Sequence, residues 1–262
     1  MRTVLITGAS SGIGKAFAYR FAKEGYRLVL VARREELLKQ ISEDIEKKHG
    51  MKVLYFPCDI AADPKEVYDV CKENDIQIDI LVNNAGYGDY GRFIDGDIDK
   101  LQGMIDLNCR SLTALAYYFI KDMKNNGYGH IINVASVASF MPGPNMAVYY
   151  ATKAYVMSFS LALREELKKD NVHVSVLCPA PTKSPFWDVA GGTTSAAYDN
   201  VFARMPEDAA ETGYKAYKKD KAYMIDGLSY KILISIVRHM PLEMAAKAIG
   251  YIQSKTKDKK GA

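Results

Sequence analysis

Residues 4 to 14 read V-L-I-T-G-A-S-S-G-I-G. Val4, Leu5 and Ile6 form a short apolar run ended by glycine, the pattern of a strand buried in a parallel sheet. Helical spacing follows at once, with Ile13, Phe17 and Phe21 on one face. Gly8, Gly12 and Gly14 therefore sit where a strand turns into a helix. Their spacing is G-x-x-x-G-x-G, not the G-x-G-x-x-G of the generic dinucleotide fingerprint. The physics is the same: glycine permits a tight turn and close approach, and the helix N-terminus offers free N–H groups to a pyrophosphate. Ser10 and Ser11 add hydroxyls that suit phosphate or ribose, and Ile13 completes the expected cofactor turn. Alone, the motif would read as an ordinary glycine-rich turn.

Outward from this turn the chain alternates strands and helices. Arg27 to Ala32, Val53 to Phe56, Ile78 to Val82, His130 to Val134 and Val172 to Cys178 read as further strands, with Tyr223 to Ile225 as a seventh. Leu37, Ile41 and Ile45 mark a second helix, and longer helices are expected over Ile98 to Met123 and Ala147 to Lys168. Such alternation argues for an α/β fold, a doubly wound Rossmann-type parallel sheet covered on both faces. After Cys178 the rhythm breaks. Pro179 to Lys221 reads as a long irregular stretch, and Leu228 to Ile252 as amphipathic with an interruption at Pro241. The expectation is one domain over residues 1–262, with a substrate lid at 185–226 and a C-terminal helical extension at 227–262.

Composition narrows the functional classes. At 262 residues and 48% hydrophobic the chain can bury a large core, and its net charge of +4 is mild. The positive residues are dispersed apart from Lys255 to Lys260, which excludes a nucleic-acid surface and fits a solvated terminus. Cys58, Cys71, Cys109 and Cys178 form no C-x-x-C pair and suit buried free thiols in a reducing cytosol. No run is long and apolar enough to span a bilayer, and the start of the chain runs directly into the first strand rather than a leader. A cytoplasmic protein without a metal, and with no nucleic-acid or membrane partner, is expected.

The end of the second strand bears on cofactor choice. An NAD-binding chain places Asp or Glu there for the ribose hydroxyls. Here Val31 and Ala32 are followed by Arg33 and Arg34. A missing carboxylate and a guanidinium pair suit the 2′-phosphate of NADP(H). The alternative is a pair of surface arginines opening a helix, which helix electrostatics disfavours.

Residues 149 to 153 read Y-Y-A-T-K. Tyr149 and Lys153, four apart on a helix, share a face, and an ammonium near a phenol favours the phenolate. Ser136 lies thirteen residues before Tyr149, and N-N-A-G occupies Asn83 to Gly86. With the T-G-A-S-S-G-I-G of Thr7 to Gly14, this set makes the chain resemble the short-chain dehydrogenase/reductase family, strongly as far as Pro185 and weakly beyond it. The resemblance implies a nicotinamide cofactor and hydride transfer at a carbonyl or alcohol carbon. It matches Asn108, Ser136, Tyr149 and Lys153 to the family's catalytic tetrad. Tyr149 would be the general acid or base, Ser136 the partner of the substrate oxygen, Lys153 the ribose contact, and Asn108 the holder of a relay water. For Asn108, a helix-interior asparagine bonded to backbone remains open. The resemblance also assigns Asp59 to the adenine amine, Asn84 to the adenine ribose, and Thr182 and Ser184 to the carboxamide. Ala180 departs from the family's Pro-Gly. Tyr150 competes with Tyr149, and Ser139 with Ser136, but neither fits the spacing.

Phe186, Trp187, Tyr198, Phe202, Met205, Tyr214, Tyr217, Tyr223 and Met224 suggest an apolar pocket for a hydrophobic ketone or secondary alcohol: a 3-oxoacyl chain, a steroid or bile acid, or an aromatic ketone. Lys215, Lys218 and Lys219 read as a solvated face. The resemblance implies a homodimer or homotetramer through the two long helices, with Leu112, Leu115, Ala116 and Phe119 facing either a partner or the sheet. Two other readings stay open. One is a silent dinucleotide-binding regulatory protein, in which the tyrosine or lysine would be expected to be lost. The other is a membrane-associated reductase, suggested by apolar Ile232 to Val237 beside the basic tail.

Overall fold

The computed structural model describes residues 1–191 and 203–254. Seven parallel strands form one sheet: β1 (Thr3–Thr7), β2 (Arg27–Ala32), β3 (Val53–Pro57), β4 (Ile80–Asn83), β5 (Gly129–Val134), β6 (Val172–Cys178) and β7 (Tyr223–Ile225). Their spatial order is β3-β2-β1-β4-β5-β6-β7. The order reverses between β1 and β4, so the connections leaving these two strands diverge and open a crevice beyond their carboxyl ends. Successive β1 residues face opposite layers, both buried. Val4 and Ile6 join α1 (Gly12–Ala22) and α2 (Glu35–His49), while Leu5 joins α3 (Pro64–Glu73) and α5 (Leu112–Asn125). Burial on both sides explains the unbroken apolar character of the strands.

The long helix expected over Ile98 to Met123 is three segments. A helix α4 (Ile98–Ile105) passes through a π-helical stretch at Asp106–Ser111 into α5. The wider π turn carries both Asn108 and Ser111 inward, where both are buried. Leu112, Leu115, Ala116 and Phe119 are buried in the monomer. They face the sheet and leave no surface for a partner. The helix expected from Ala147 is α6 (Ala147–Glu166).

Residues 179–221 differ from the irregular stretch expected. They contain α7 (Phe186–Val189) and a full helix, α8 (Pro206–Lys218), packed on α1 and β6. A Cβ at Gly213 would lie 2.4 Å from the Phe17 ring, so glycine is what lets the α8 backbone reach α1. Tyr214 and Tyr217 belong to that core and not to the expected pocket. Tyr223 and Met224 lie in β7, at the sheet edge, and Met205 is exposed; Tyr198 and Phe202 lie outside the described residues. The C-terminal stretch forms α9 (Leu228–Val237) and α10 (Leu242–Ser254), broken at Pro241 as expected. No helix among the described residues is long and apolar enough to cross a membrane.

Candidate active site

The crevice beyond β1 and β4 is a continuous cleft of about 470 Å³. Its floor is the glycine turn. Gly8 and Gly12 have φ of +65° and +53°, a left-handed backbone that suits glycine. Gly14 does not reach the cleft but permits the turn, because a Cβ there would lie 2.4 Å from the Gly8 carbonyl oxygen. Ser11 caps α1 without a side-chain bond to the helix, so the first-turn N–H groups face the cleft unclaimed by a capping hydroxyl. Ile13 lines the wall beside them.

Arg33 and Arg34 border one end. Arg34 donates from Nη2 to Ser10 Oγ and Ser11 Oγ, each at 2.9 Å, so its guanidinium is held against the glycine turn. Among the described residues Arg33 reaches only Asp59, at 3.9 Å, and the Arg33 and Asp59 side chains are both exposed. One held guanidinium and one exposed one stand beside the helix N-terminus, a set of donors that suits the phosphates of the nicotinamide dinucleotide the sequence suggested. Asn84 lines the cleft, but its Nδ2 donates to Thr7 O at 2.9 Å, which ties β4 to the glycine turn. Thr182 and Ser184 also line it. Thr182 Oγ1 donates to Ala180 O at 2.8 Å, and Ala180 is buried where the family pattern has glycine.

At the other end Ser136, Tyr149 and Lys153 converge. Ser136 ends the segment after β5, and its Oγ accepts from Ala138 N at 3.1 Å, which fixes the rotamer. It also hydrogen-bonds the Tyr149 hydroxyl. Ser139 points away, donating to Lys153 O at 2.8 Å. Lys153 is buried and donates from Nζ to Val134 O at 2.9 Å. Its Nζ lies 5.8 Å from the Tyr149 ring centroid.

In the protein alone, Tyr149 is held toward the neutral phenol. Burial pushes its pKa up to about 12, against a smaller opposing pull from the Ser136 hydrogen bond. Burial likewise lowers Lys153 to about 8, because an ammonium is costly in an apolar wall. Tyr149 is thus a neutral phenol near neutral pH, a proton donor rather than a standing base.

Asn108 does not line the cleft. Its Nδ2 donates to Tyr87 O at 2.9 Å and to Thr152 Oγ1 at 3.1 Å, and its Oδ1 accepts from Tyr87 N at 3.1 Å. It braces the loop after β4 against α6. Behind it, Gly86 has room only for hydrogen, since a Cβ would lie 2.8 Å from Asn108 Oδ1.

Phe186 and Trp187 line the substrate end as expected, with Phe186 5.4 Å from Tyr149 between ring centroids. Sequence reasoning missed Tyr87, Tyr90, Met146, Ile252 and Gln253, which also line it. Tyr87 and Tyr90 directly follow N-N-A-G, a signal that was present. Ile252 and Gln253 arrive from the end of α10, where sequence proximity offered none. Among the described residues no cluster of three or more His, Cys, Asp or Glu is suited to a metal, and all four cysteines are free thiols. Cys109 is half-buried and the other three are buried.

A family model described as short chain dehydrogenase matches residues 2–192. The chain is 36% identical over 180 residues to human 17-beta-hydroxysteroid dehydrogenase type 3, covering 67% of this chain and 57% of that one. It is 34% identical over 174 residues to a very-long-chain 3-oxoacyl-CoA reductase of Coprinopsis cinerea, covering 65% and 51%. The aligned part is therefore little more than half the length of these relatives. A short-chain dehydrogenase from Sphingobium yanoikuyae in complex with NADPH superposes with a TM-score of 0.81 at 32% identity, covering 90% of this chain and 93% of that one. A Burkholderia phymatum enzyme in complex with NAD shares the fold, with a TM-score of 0.84 at 24% identity and coverage of 94% and 95%.

Proposed function

The chain belongs to the short chain dehydrogenase family, and we propose that within it the protein is an NADP(H)-dependent oxidoreductase that reduces a hydrophobic ketone to a secondary alcohol. The observation that carries this reading is a single cleft with Arg33 and Arg34 at one end and Ser136, Tyr149 and Lys153 at the other. NADP(H) is further supported by the likeness to the NADPH complex, at 32% identity. An apolar carbonyl substrate suits the Phe186, Trp187 and Met146 wall and the names of the two relatives.

A bound reduced nicotinamide supplies the hydride that adds to the carbonyl carbon. The protein's part is the proton and the charge. Ser136 holds the carbonyl oxygen by a hydrogen bond that strengthens as negative charge develops there. Tyr149, kept neutral by burial, gives its proton to that oxygen, so hydride and proton together yield the alcohol. Lys153, when protonated, lies close enough to offset the charge left on Tyr149. Asn108 acts at one remove, by tying Tyr87 to Thr152, the residue before the lysine. The reverse oxidation would need the phenolate, which the raised pKa of Tyr149 disfavours. Free thiols throughout the described residues support a reducing compartment such as the cytoplasm.

Steady-state rates with NADPH and NADH, measured on steroid ketones, aryl ketones and 3-oxoacyl thioesters by nucleotide absorbance, test the reading. The expected result is turnover of at least one apolar ketone with NADPH preferred. Tight nucleotide binding without turnover of any ketone or alcohol would favour the silent regulatory alternative.

A further inference from the structure

The substrate end of the cleft closes on a polar group that the proposed chemistry does not use. The end of α10 folds back over the cleft, with Gly250 packed on Pro144, and brings Gln253 to Tyr150 across 103 positions of sequence. Gln253 Nε2 donates to the Tyr150 hydroxyl at 3.1 Å, and the Tyr90 hydroxyl donates to Gln253 O at 2.9 Å. Tyr150 and Gln253 both line the cleft. Gln253 Oε1 is buried and has no hydrogen-bond partner among the described residues. A buried carboxamide oxygen without a partner is costly, and native interiors keep few of them. The Tyr150 hydroxyl accepts from Gln253 and keeps its own proton to give.

From this we propose that Tyr150 and Gln253 form a recognition pair for a neutral hydroxyl on the substrate, at a position remote from the reacting carbonyl. A hydroxyl both donates and accepts. It can give its proton to Gln253 Oε1 and take that of Tyr150. If the carboxamide is turned the other way, Nε2 becomes the spare end and a hydroxyl still satisfies it. A carboxylate or phosphate does not suit the place. Among the described residues lining the cleft, the cations are Arg33, Arg34 and Lys153, which serve the nucleotide end and the catalytic group. Nearby Lys100 is paired with Asp89 at 2.5 Å and donates to Val189 O at 3.1 Å. The rings of Tyr149 and Tyr150 have centroids 6.1 Å apart, and both line the cleft with Gln253, so the proton donor and the recognition pair open on one space. The substrate class is therefore a rigid or aromatic hydrophobic ketone that carries a distal hydroxyl.

This inference rests on the ketone-reductase reading, and its test separates the two. Two matched pairs serve as probes: 4-(4-hydroxyphenyl)butan-2-one against 4-phenylbutan-2-one, and 3-hydroxy-5α-androstan-17-one against 5α-androstan-17-one. For each pair the ratio of kcat/KM values with NADPH is measured in the unmodified protein, in Gln253→Leu and in Tyr150→Phe. The expected ratio favours the hydroxylated ketone by about tenfold in at least one pair, the effect of one well-placed hydrogen bond. Either variant should bring that ratio close to one, and the double variant should take it no further. Two single variants guard against one that fails to fold. Ratios near one in the unmodified protein, or ratios unchanged in both variants, would overturn the recognition pair while leaving the reductase reading standing. No turnover of any of the four ketones would overturn both.

Discussion

Replacing Arg33 with alanine should separate the two nicotinamide cofactors. The side chain is exposed and, among the described residues, reaches only Asp59, at 3.9 Å, itself exposed. An open ion pair of this kind contributes at most about 1 kcal/mol to stability, so the variant should fold and melt almost as the unmodified protein does. Its effect should fall on binding. A hydrogen bond to a charged group contributes about 1.5–3 kcal/mol net, or roughly ten- to a hundredfold in affinity. The KM for NADPH should rise by that factor while the KM for NADH stays nearly constant. Arg34 acts from a different position, since its guanidinium is held by Ser10 and Ser11. Arg34→Ala should weaken both cofactors, because it also releases the two hydroxyls of the turn, and the double variant should lose most of the preference. Exposure makes the Arg33 effect sensitive to salt, so it should shrink between low and high ionic strength. Steady-state kinetics with both nucleotides at two salt concentrations reads all of this. An unmodified protein that prefers NADH, or an Arg33→Ala variant with unaltered NADPH kinetics, would show that these arginines only cover a surface helix.

Other outcomes follow from the same geometry. Lys153 is lowered to about 8, so its ammonium is present below that pH and lost above it. Reductive kcat/KM should therefore fall on the alkaline side of about pH 8, with no limb from Tyr149 in the usual range; a flat profile to pH 10 would contradict this. The same shift stabilises with rising pH. Between about 8 and 10.5 the unfolded chain keeps the lysine proton that the folded chain has released. The stability difference between the unmodified protein and Lys153→Met should change across that window. Asn108→Ala removes three hydrogen bonds of a buried side chain and should cost roughly 2–4 kcal/mol, a melting-temperature drop on the order of 5–10 °C; an unchanged melting temperature with lost kcat would instead favour the relay-water role. We also propose a homo-oligomer through the outer faces of α5 and α6, where Tyr117 and Tyr155 are exposed. Light scattering that shows only monomer at micromolar concentration would refute it.

The sheet was legible in the sequence because a strand buried on both faces leaves a continuous apolar run. β2 and β6 fall where those runs begin and end. Helix α8 was not legible. Its inner face is built from Ala209, Ala210, Gly213 and Ala216 as well as two tyrosines, small residues that carry little periodic signal. The π turn at Asp106–Ser111 was equally hidden, since a single widened turn keeps the helical spacing on either side while rotating one face against the other. The glycine turn and the convergence of Ser136, Tyr149 and Lys153 could be read because each motif is local. The upward shift of Tyr149 could not, because it comes from burial, which depends on how distant segments pack around the ring. The closure of the cleft by Gln253 depends on a contact between segments distant in sequence, for which local pattern carries no information.

The central claim is that Tyr149 gives the proton in NADPH-dependent ketone reduction. Its most direct test is Tyr149→Phe assayed in parallel for NADPH binding, by fluorescence titration, and for turnover of a ketone accepted by the unmodified protein. NADPH affinity should stay within about twofold of the original, with turnover lowered by roughly 10²–10⁴-fold, the usual contribution of general acid catalysis. Near-normal turnover in Tyr149→Phe, with activity lost in Tyr150→Phe instead, would contradict it.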